Sequence, residues 1–254
     1  MEPLRTPFQG VWNVVRFNWH FYAFALALAI ALVVVWAVVP PAGRPYVLTA
    51  LGGLLVTIAA SLAASAYVYD YSNLYRLDWL PTAWPTQPRV LSISAGFDEI
   101  SPTLQRKCAP ADFLAVDFYD PARHTEVSIK RARRAYASFP GTQQVDTRGA
   151  LPAPADSMDL IFAFLSAHEI RDADERAAFF RELKRVLKPD GCIVVTEHLR
   201  DPANFLAYSI GFLHFHSHRA WQATYRAAGL RVQQEIKITP LITAFILNKN
   251  GSTA

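Results

Sequence analysis

Two imidazole–carboxylate pairs, His168-Glu169 and Glu197-His198, are the most chemically capable neighbours in the sequence. Each follows directly on a run rich in β-branched and aromatic residues, which puts each pair at the end of a strand. An imidazole or carboxylate there can take the proton from an acceptor hydroxyl or thiol, whose un-ionised form is a poor nucleophile. The competing use is structural, with one pair hydrogen-bonding strand ends and orienting loops. His214, His216 and His218 bring five of the seven histidines into residues 168–218. Spacing of two places those three on one face of a strand, whereas a helix brings only His214 and His218 together. The spacing matches no established ligand pattern, so no metal ligand is assigned, and whether a divalent ion binds near the three stays open. Asp98 and Glu99 add two carboxylates after the first β-rich run. Three uses are open to them: holding an ammonium group, binding a cation, or capping a helix that begins near Ser101-Pro102.

The elements that must position these residues alternate. Residues 89–94, 113–117, 143–147, 158–164 and 192–196 read as strands, and 102–108, 125–139 and 174–187 as helices between them. The last helix runs into Lys188-Pro189-Asp190-Gly191, a basic turn followed by breakers. A helix over 218–228 and two successive strands, 230–237 and 242–248, complete the chain. The alternation predicts an α/β fold, a doubly wound and mostly parallel sheet with helices on both faces, and the final pair predicts an antiparallel edge. Ligands in such a fold sit at the carboxyl ends of the strands.

Upstream, the chain changes character. Of its 254 residues 52% are hydrophobic and 18% charged, and between Arg16 and Asp70 the one residue among Asp, Glu, Lys and Arg is Arg44. Arg44 lies in the breaker Pro40-Pro41-Ala42-Gly43-Arg44-Pro45, which divides the stretch into residues 19–39 and 46–69. Each is close to the ~20 residues that cross a hydrocarbon core. A transmembrane hairpin is therefore expected over 19–70, after a juxtamembrane segment 1–18 and before a Pro-rich connector 71–88, with residues 89–254 as the α/β domain. Arg5, Arg16, Arg76 and Arg89 flank the hairpin, and the excess of basic flanks predicts an integral protein of a bacterial-type inner membrane with its domain in the cytoplasm. Two cysteines are too few for a disulfide framework, and a net charge of +4 without a basic stripe argues against nucleic acid. Small residues recur at four-residue spacing, Ala59/Ala63, Ala60/Ala64 and Ser61/Ser65, so helices can approach closely there, within the pair or in a homo-oligomer. The apolar segment 201–215 is too short to span, and reads as an interfacial helix, a lid, or an ordinary buried helix.

Three stretches together, residues 151–161 (LPAPADSMDLI), 167–170 (AHEI) and 180–191 (FRELKRVLKPDG), resemble the class I S-adenosylmethionine-dependent methyltransferases, and the resemblance extends over residues 89–248. It implies a Rossmann-like domain with S-adenosylmethionine as cofactor. Residues 90–98 (VLSISAGFD) take the place of the family's first motif, where only Gly96 keeps the glycine pattern and Ser92, Ser94 and Asp98 depart from it. On the resemblance, Ser94 and Gly96 approach the cofactor, Asp117 accepts from the ribose hydroxyls, Phe118 or Tyr119 lies against the adenine, and Asp146 reaches the adenine amine. His168, Glu169, Glu197 and His198 are the acid/base candidates. The expected activity is methyl transfer to a lipophilic acceptor entering from the bilayer. Two other readings stay open: the same cofactor used for other chemistry, such as metal-assisted amino transfer to a quinone, or a non-catalytic methyltransferase-like membrane module.

Overall fold

A computed structural model describes residues 5–80 and 85–249. Part of the expected connector and the polar end after Lys249 lie outside the described residues. Seven strands form one sheet, β1 (Arg89–Ser94), β2 (Asp112–Asp117), β3 (Gln143–Gln144), β4 (Met158–Phe164), β5 (Leu187–His198), β6 (Leu230–Thr239) and β7 (Ile242–Lys249), in the order β3-β2-β1-β4-β5-β7-β6. The first five are mutually parallel. The reversed strand is not at the rim: β7 runs antiparallel between β5 and β6, so the edge strand β6 points the same way as the first five.

The central strands are apolar on both faces, as sheets covered by helices on each side require. Leu91, Ile93, Ile161, Ala163, Ile193 and Val195 pack with Phe179, Phe180 and Leu183 of α6 (Ala173–Val186) and Trp221 and Tyr225 of α8 (His218–Ala227). On the opposite face Val90, Leu160, Phe162 and Val194 meet Leu77, Leu80 and Leu104, the last from α4 (Ser101–Cys108). Helix α6 starts on Asp172, whose side chain accepts from the Glu175 N–H, carries Asp174 and Glu175 in its first turn and ends on Lys184 and Arg185, all favourable to the helix dipole. It stops at Val186, one residue short of the sequence expectation. The Lys188-Pro189-Asp190-Gly191 breaker lies inside β5, where the register with β4 shifts between Met158 and Leu160.

Ahead of the sheet, α1 (Gln9–Phe17) is followed by α2 (Trp19–Val38), a short turn at Pro41–Gly43, and α3 (Arg44–Ala66), which continues as a π-turn over Tyr67–Tyr71. Both long helices have the length and composition to cross a membrane, and their most apolar windows hold no buried residue. Val68 and Leu74 at the foot of the hairpin are fully buried against Ala207, Leu241 and Ile242. Helix α1 is anchored on that foot: the Asp70 carboxylate accepts from the Gly10 and Val11 N–H groups at 2.7 and 2.9 Å. The fit is close, because a Cβ on Gly10 would lie 2.3 Å from Tyr69 Cβ.

Candidate active site

The strand order reverses at β1, whose neighbours β2 and β4 have their crossovers on opposite faces, and ligand crevices open at such switch points. A cavity of about 220 Å³ lies there. Its floor is Ile93, Ser94 and Ala95 from β1 and its turn, with Phe164 and Leu165 from β4; Glu169 closes one side. Asn13 and Phe17 of α1, Ile129 and Ala132 of α5 (Val127–Ala135), and Tyr69 and Tyr75 at the hairpin's foot complete the wall.

After β1 the chain turns at Gly96 with φ +90°, a conformation glycine adopts without penalty. A Cβ there would meet Ile129, Tyr119 and Arg133 at 2.9–3.1 Å, so α5 lies directly over the turn. Asp98 starts α4 by accepting from the Ile100 and Ser101 N–H groups, both at 3.0 Å. Glu99 faces the other way and accepts from Arg5, Asn13 and the Tyr75 hydroxyl, tying the N-terminal segment to the domain. Of the three uses open to these carboxylates, capping is the one Asp98 serves.

Asp117 ends β2 nearly fully buried. Its Oδ1 accepts from the Gly96 and Tyr119 N–H groups at 2.7 and 2.9 Å, and its Oδ2 from Arg133 and from Gln144, the latter at 2.9 Å. Those four donors fill a carboxylate's acceptor capacity. Phe118 is turned into the core, its ring edge-on to Phe179 and His124, because alternate residues leaving a strand point to opposite faces. It leaves no face for an adenine, and Tyr119, under the Arg133 guanidinium, is the aromatic beside Gly96. Asp146 lies beyond β3 and half exposed, bonded to the Arg148 N–H and to Arg123, contacts that lower its pKa. The expected third strand shrinks to two residues because beyond Gln144 only Val145 N–H still bonds β2, at Asp117 O.

Past β4 and β5 the acid/base candidates separate. Glu197 is fully buried and grips His168 twice, through the His168 N–H at 3.2 Å and Nδ1 at 2.6 Å. Burial opposes charge on His168, but Glu197 and Glu169 outweigh it and push its pKa up to about 10. Burial likewise opposes charge on Glu169, yet His168 and His214 hold its carboxyl well below the usual range. His198, one residue from Glu197 and so on the other face of β5, is bound at both nitrogens, to the Tyr69 hydroxyl at 2.8 Å and to Asn204 Oδ1 at 2.9 Å, and stacks on Phe215. Burial lowers its pKa to about 4, so it is a neutral post joining β5 to the hairpin's foot.

The three closely spaced histidines share no face. His214 turns toward Glu169 and Glu126. His216 is buried against Arg176 and Trp221, where burial and Arg176 lower its pKa to about 3. His218 pairs with Glu235 at the surface. His168, Glu169 and His214 converge, with one donor atom from each within 4.8 Å of the others. The sequence held no sign of Arg133, Gln144 or Glu126 as site residues, since all three lie in the β2–α5–β3 passage, whose course over the site no local pattern specifies.

Residues 91–195 match a family described as Methyltransferase domain. A chain of the complex between the Haloferax volcanii Trm112 methyltransferase activator and a methyltransferase is similar in fold at 14% identity and TM-score 0.51, covering 76% of this chain and 96% of that one. A methyltransferase of Aquifex aeolicus (18%, TM-score 0.47, 65% and 84% covered) and YcgJ of Bacillus subtilis (19%, 0.44, 66% and 94%) are also similar. No curated protein matches. The fold is that of the class I S-adenosylmethionine-dependent methyltransferases. Residues 91–195 are accordingly an S-adenosylmethionine-dependent methyltransferase domain, with S-adenosylmethionine as its cofactor. The methyltransferase site suits that group in kind, with a left-handed glycine turn beside a carboxylate that can accept from two ribose hydroxyls. Two of the four donors on that carboxylate, Arg133 and Gln144, are side chains that must turn aside for it.

Proposed function

We propose that this chain is a membrane-anchored methyltransferase acting on a lipophilic or membrane-associated acceptor, with the hairpin in the bilayer and the domain on the cytoplasmic side. The observation that carries this reading is the composition of the cavity wall: α1 leads into the apolar hairpin and Tyr69 leads out of it, and both line the cavity at the ends of β1 and β4. An acceptor leaving a bilayer along the hairpin would meet this cavity at the hairpin's foot. Two further features support it. The apolar surfaces of α2 and α3 are bare, and uncovered apolar surface on that scale marks contact with lipid or a partner. The segment 201–215 forms α7 (Pro202–Tyr208) and a 3-10 turn beside α3, with Leu206 76% and Ile210 78% exposed, so it presents its apolar side outward in the manner of an interfacial helix.

In this reading Ser94, Gly96, Asp117 and Tyr119 hold the cofactor, which when bound supplies an electrophilic methyl group. Arg133 and Gln144 leave Asp117 as it is received. The chain's remaining work is to orient the acceptor and to keep water out, where proximity supplies much of the rate. Glu169 is the acid/base candidate on the cavity wall, and its carboxylate, ionised and braced by His168 with Glu197 behind, accepts a hydrogen bond from the acceptor and points its nucleophilic atom inward. The full chain in nanodiscs of bacterial lipid, given S-adenosylmethionine labelled in the methyl group, tests the reading. Label is expected in the organic-extractable fraction. Label confined to water-soluble products, or to protein, would overturn it.

A further inference from the structure

Two histidines meet a carboxylate of the cavity wall with more order than hydrogen bonding requires. His168 Nε2 and His214 Nε2 each lie 3.3 Å from the same oxygen, Glu169 Oε1. Ligands bound tetrahedrally to one ion at about 2.0–2.1 Å are about 3.3–3.4 Å apart. Each ring is held from behind by its own carboxylate: His168 Nδ1 by Glu197 Oε2 at 2.6 Å, and His214 Nδ1 by Glu126 Oε1 at 2.8 Å. A carboxylate at Nδ1 keeps the proton on that nitrogen, so Nε2 is the atom that takes an ion as its own proton is displaced, the outer-shell arrangement that metal-bound histidines carry. The rings are nearly perpendicular, at 83°, and Arg171 donates to the backbone carbonyls of both His168 and His214, fastening the two loops together.

We propose that His168, Glu169 and His214 form a site for a single divalent transition ion, with Glu197 and Glu126 as the carboxylates that orient the two imidazoles. Two imidazoles and one carboxylate suit Zn²⁺, Fe²⁺ or Co²⁺ rather than Mg²⁺ or Ca²⁺, which take oxygen ligands. Three protein ligands leave a fourth position, as in catalytic rather than structural sites. Glu169 lines the cavity, so an ion held by it would stand beside the cavity and could act as a Lewis acid on an acceptor oxygen or sulfur there. The site exists independently of what the acceptor is, and of whether methyl transfer is the reaction.

The test uses the full chain in detergent, stripped with a chelator and titrated with Co²⁺ alone while visible ligand-field absorption is followed. Saturation at one equivalent, with the bands displaced by Zn²⁺, is expected. His214→Ala should abolish the bands, and Glu126→Gln, which leaves all three ligands in place, should weaken binding by roughly 10–100-fold. His218→Ala, at an exposed histidine outside the cluster, should bind as the parent does. Thermal unfolding without metal identifies any variant that fails to fold; should His214→Ala fail, Glu126→Gln decides, since Glu126 is half exposed. Absence of saturable absorption in the parent, or equal affinity in Glu126→Gln and the parent, would overturn the proposal.

Discussion

Arg133 of α5 donates into the Asp117 carboxylate on the side opposite the Gly96 N–H, so the residue best suited to a ribose is latched by a helix that also covers the glycine turn. In the proposed function, cofactor and latch compete for one group. Arg133→Ala is expected to tighten S-adenosylmethionine binding by roughly tenfold, about 1.4 kcal/mol, and Asp117→Ala to remove it. Calorimetry on the solubilised chain reads both. Equal affinities in the parent and Arg133→Ala would end the idea of a latch.

His198 provides a pH signature. Its folded pKa, lowered by burial to about 4, lies below the ordinary 6.5, so its contribution to stability is complete above pH 6.5 and is lost as pH falls toward 4. At pH 5 the loss is about 2 kcal/mol. His216, lowered to about 3, acts in the same direction. The unfolding temperature in detergent should fall between pH 6.5 and 4, and a flat profile over that window would contradict the neutral, doubly bonded His198.

Both cysteines are free, and burial pushes the Cys192 thiol up to about 12. Cys192 should therefore resist alkylation at neutral pH in the folded chain and react once it is denatured, because the thiolate is the reactive form. Peptide mapping after iodoacetamide distinguishes it from Cys108. Equal labelling of Cys192 before and after denaturation would refute the assignment.

Gly10 tests how α1 is seated. A methyl group there collides with Tyr69, and overpacking of this kind costs about 1–3 kcal/mol. Gly10→Ala is expected to loosen α1 from the hairpin's foot and to expose its N-terminal side to limited proteolysis. Asp70→Asn, which weakens the anchor without adding bulk, should act in the same direction but less. Parent-like protease resistance in Gly10→Ala would show that α1 is not held there.

Where one strong local pattern decided an element, the sequence sufficed. Residues 89–94 and 158–164 are short runs rich in Val, Leu, Ile and Phe and form β1 and β4 with those bounds. The charge-free stretch likewise marks α2 and α3. Failures arise where tertiary contacts decide. Residues 125–139 make a helix only over Val127–Ala135, and residues 1–18 contain α1, which exists because Asp70, far along the chain, caps it. Strand alternation separates Glu197 from His198, a consequence of the period of two that holds for any such pair on a strand. The convergence of His168 with Glu197 follows from β4 lying beside β5, but Glu126 reaches His214 through a crossover whose course no local pattern specifies.

The Asp70 contact to α1 has a mechanical consequence. The segment leaving the hairpin grips the segment entering it, and Val68 and Leu74 are buried against Ala207, Leu241 and Ile242 of the domain below, so the two ends of the hairpin are joined into one foot that is seated on the domain. An enzyme on a flexible leash tumbles and presents its opening to the bilayer only part of the time. With the hairpin in a membrane, a clamped domain keeps one heading, and lateral diffusion in the plane becomes the remaining search that brings it to its acceptor.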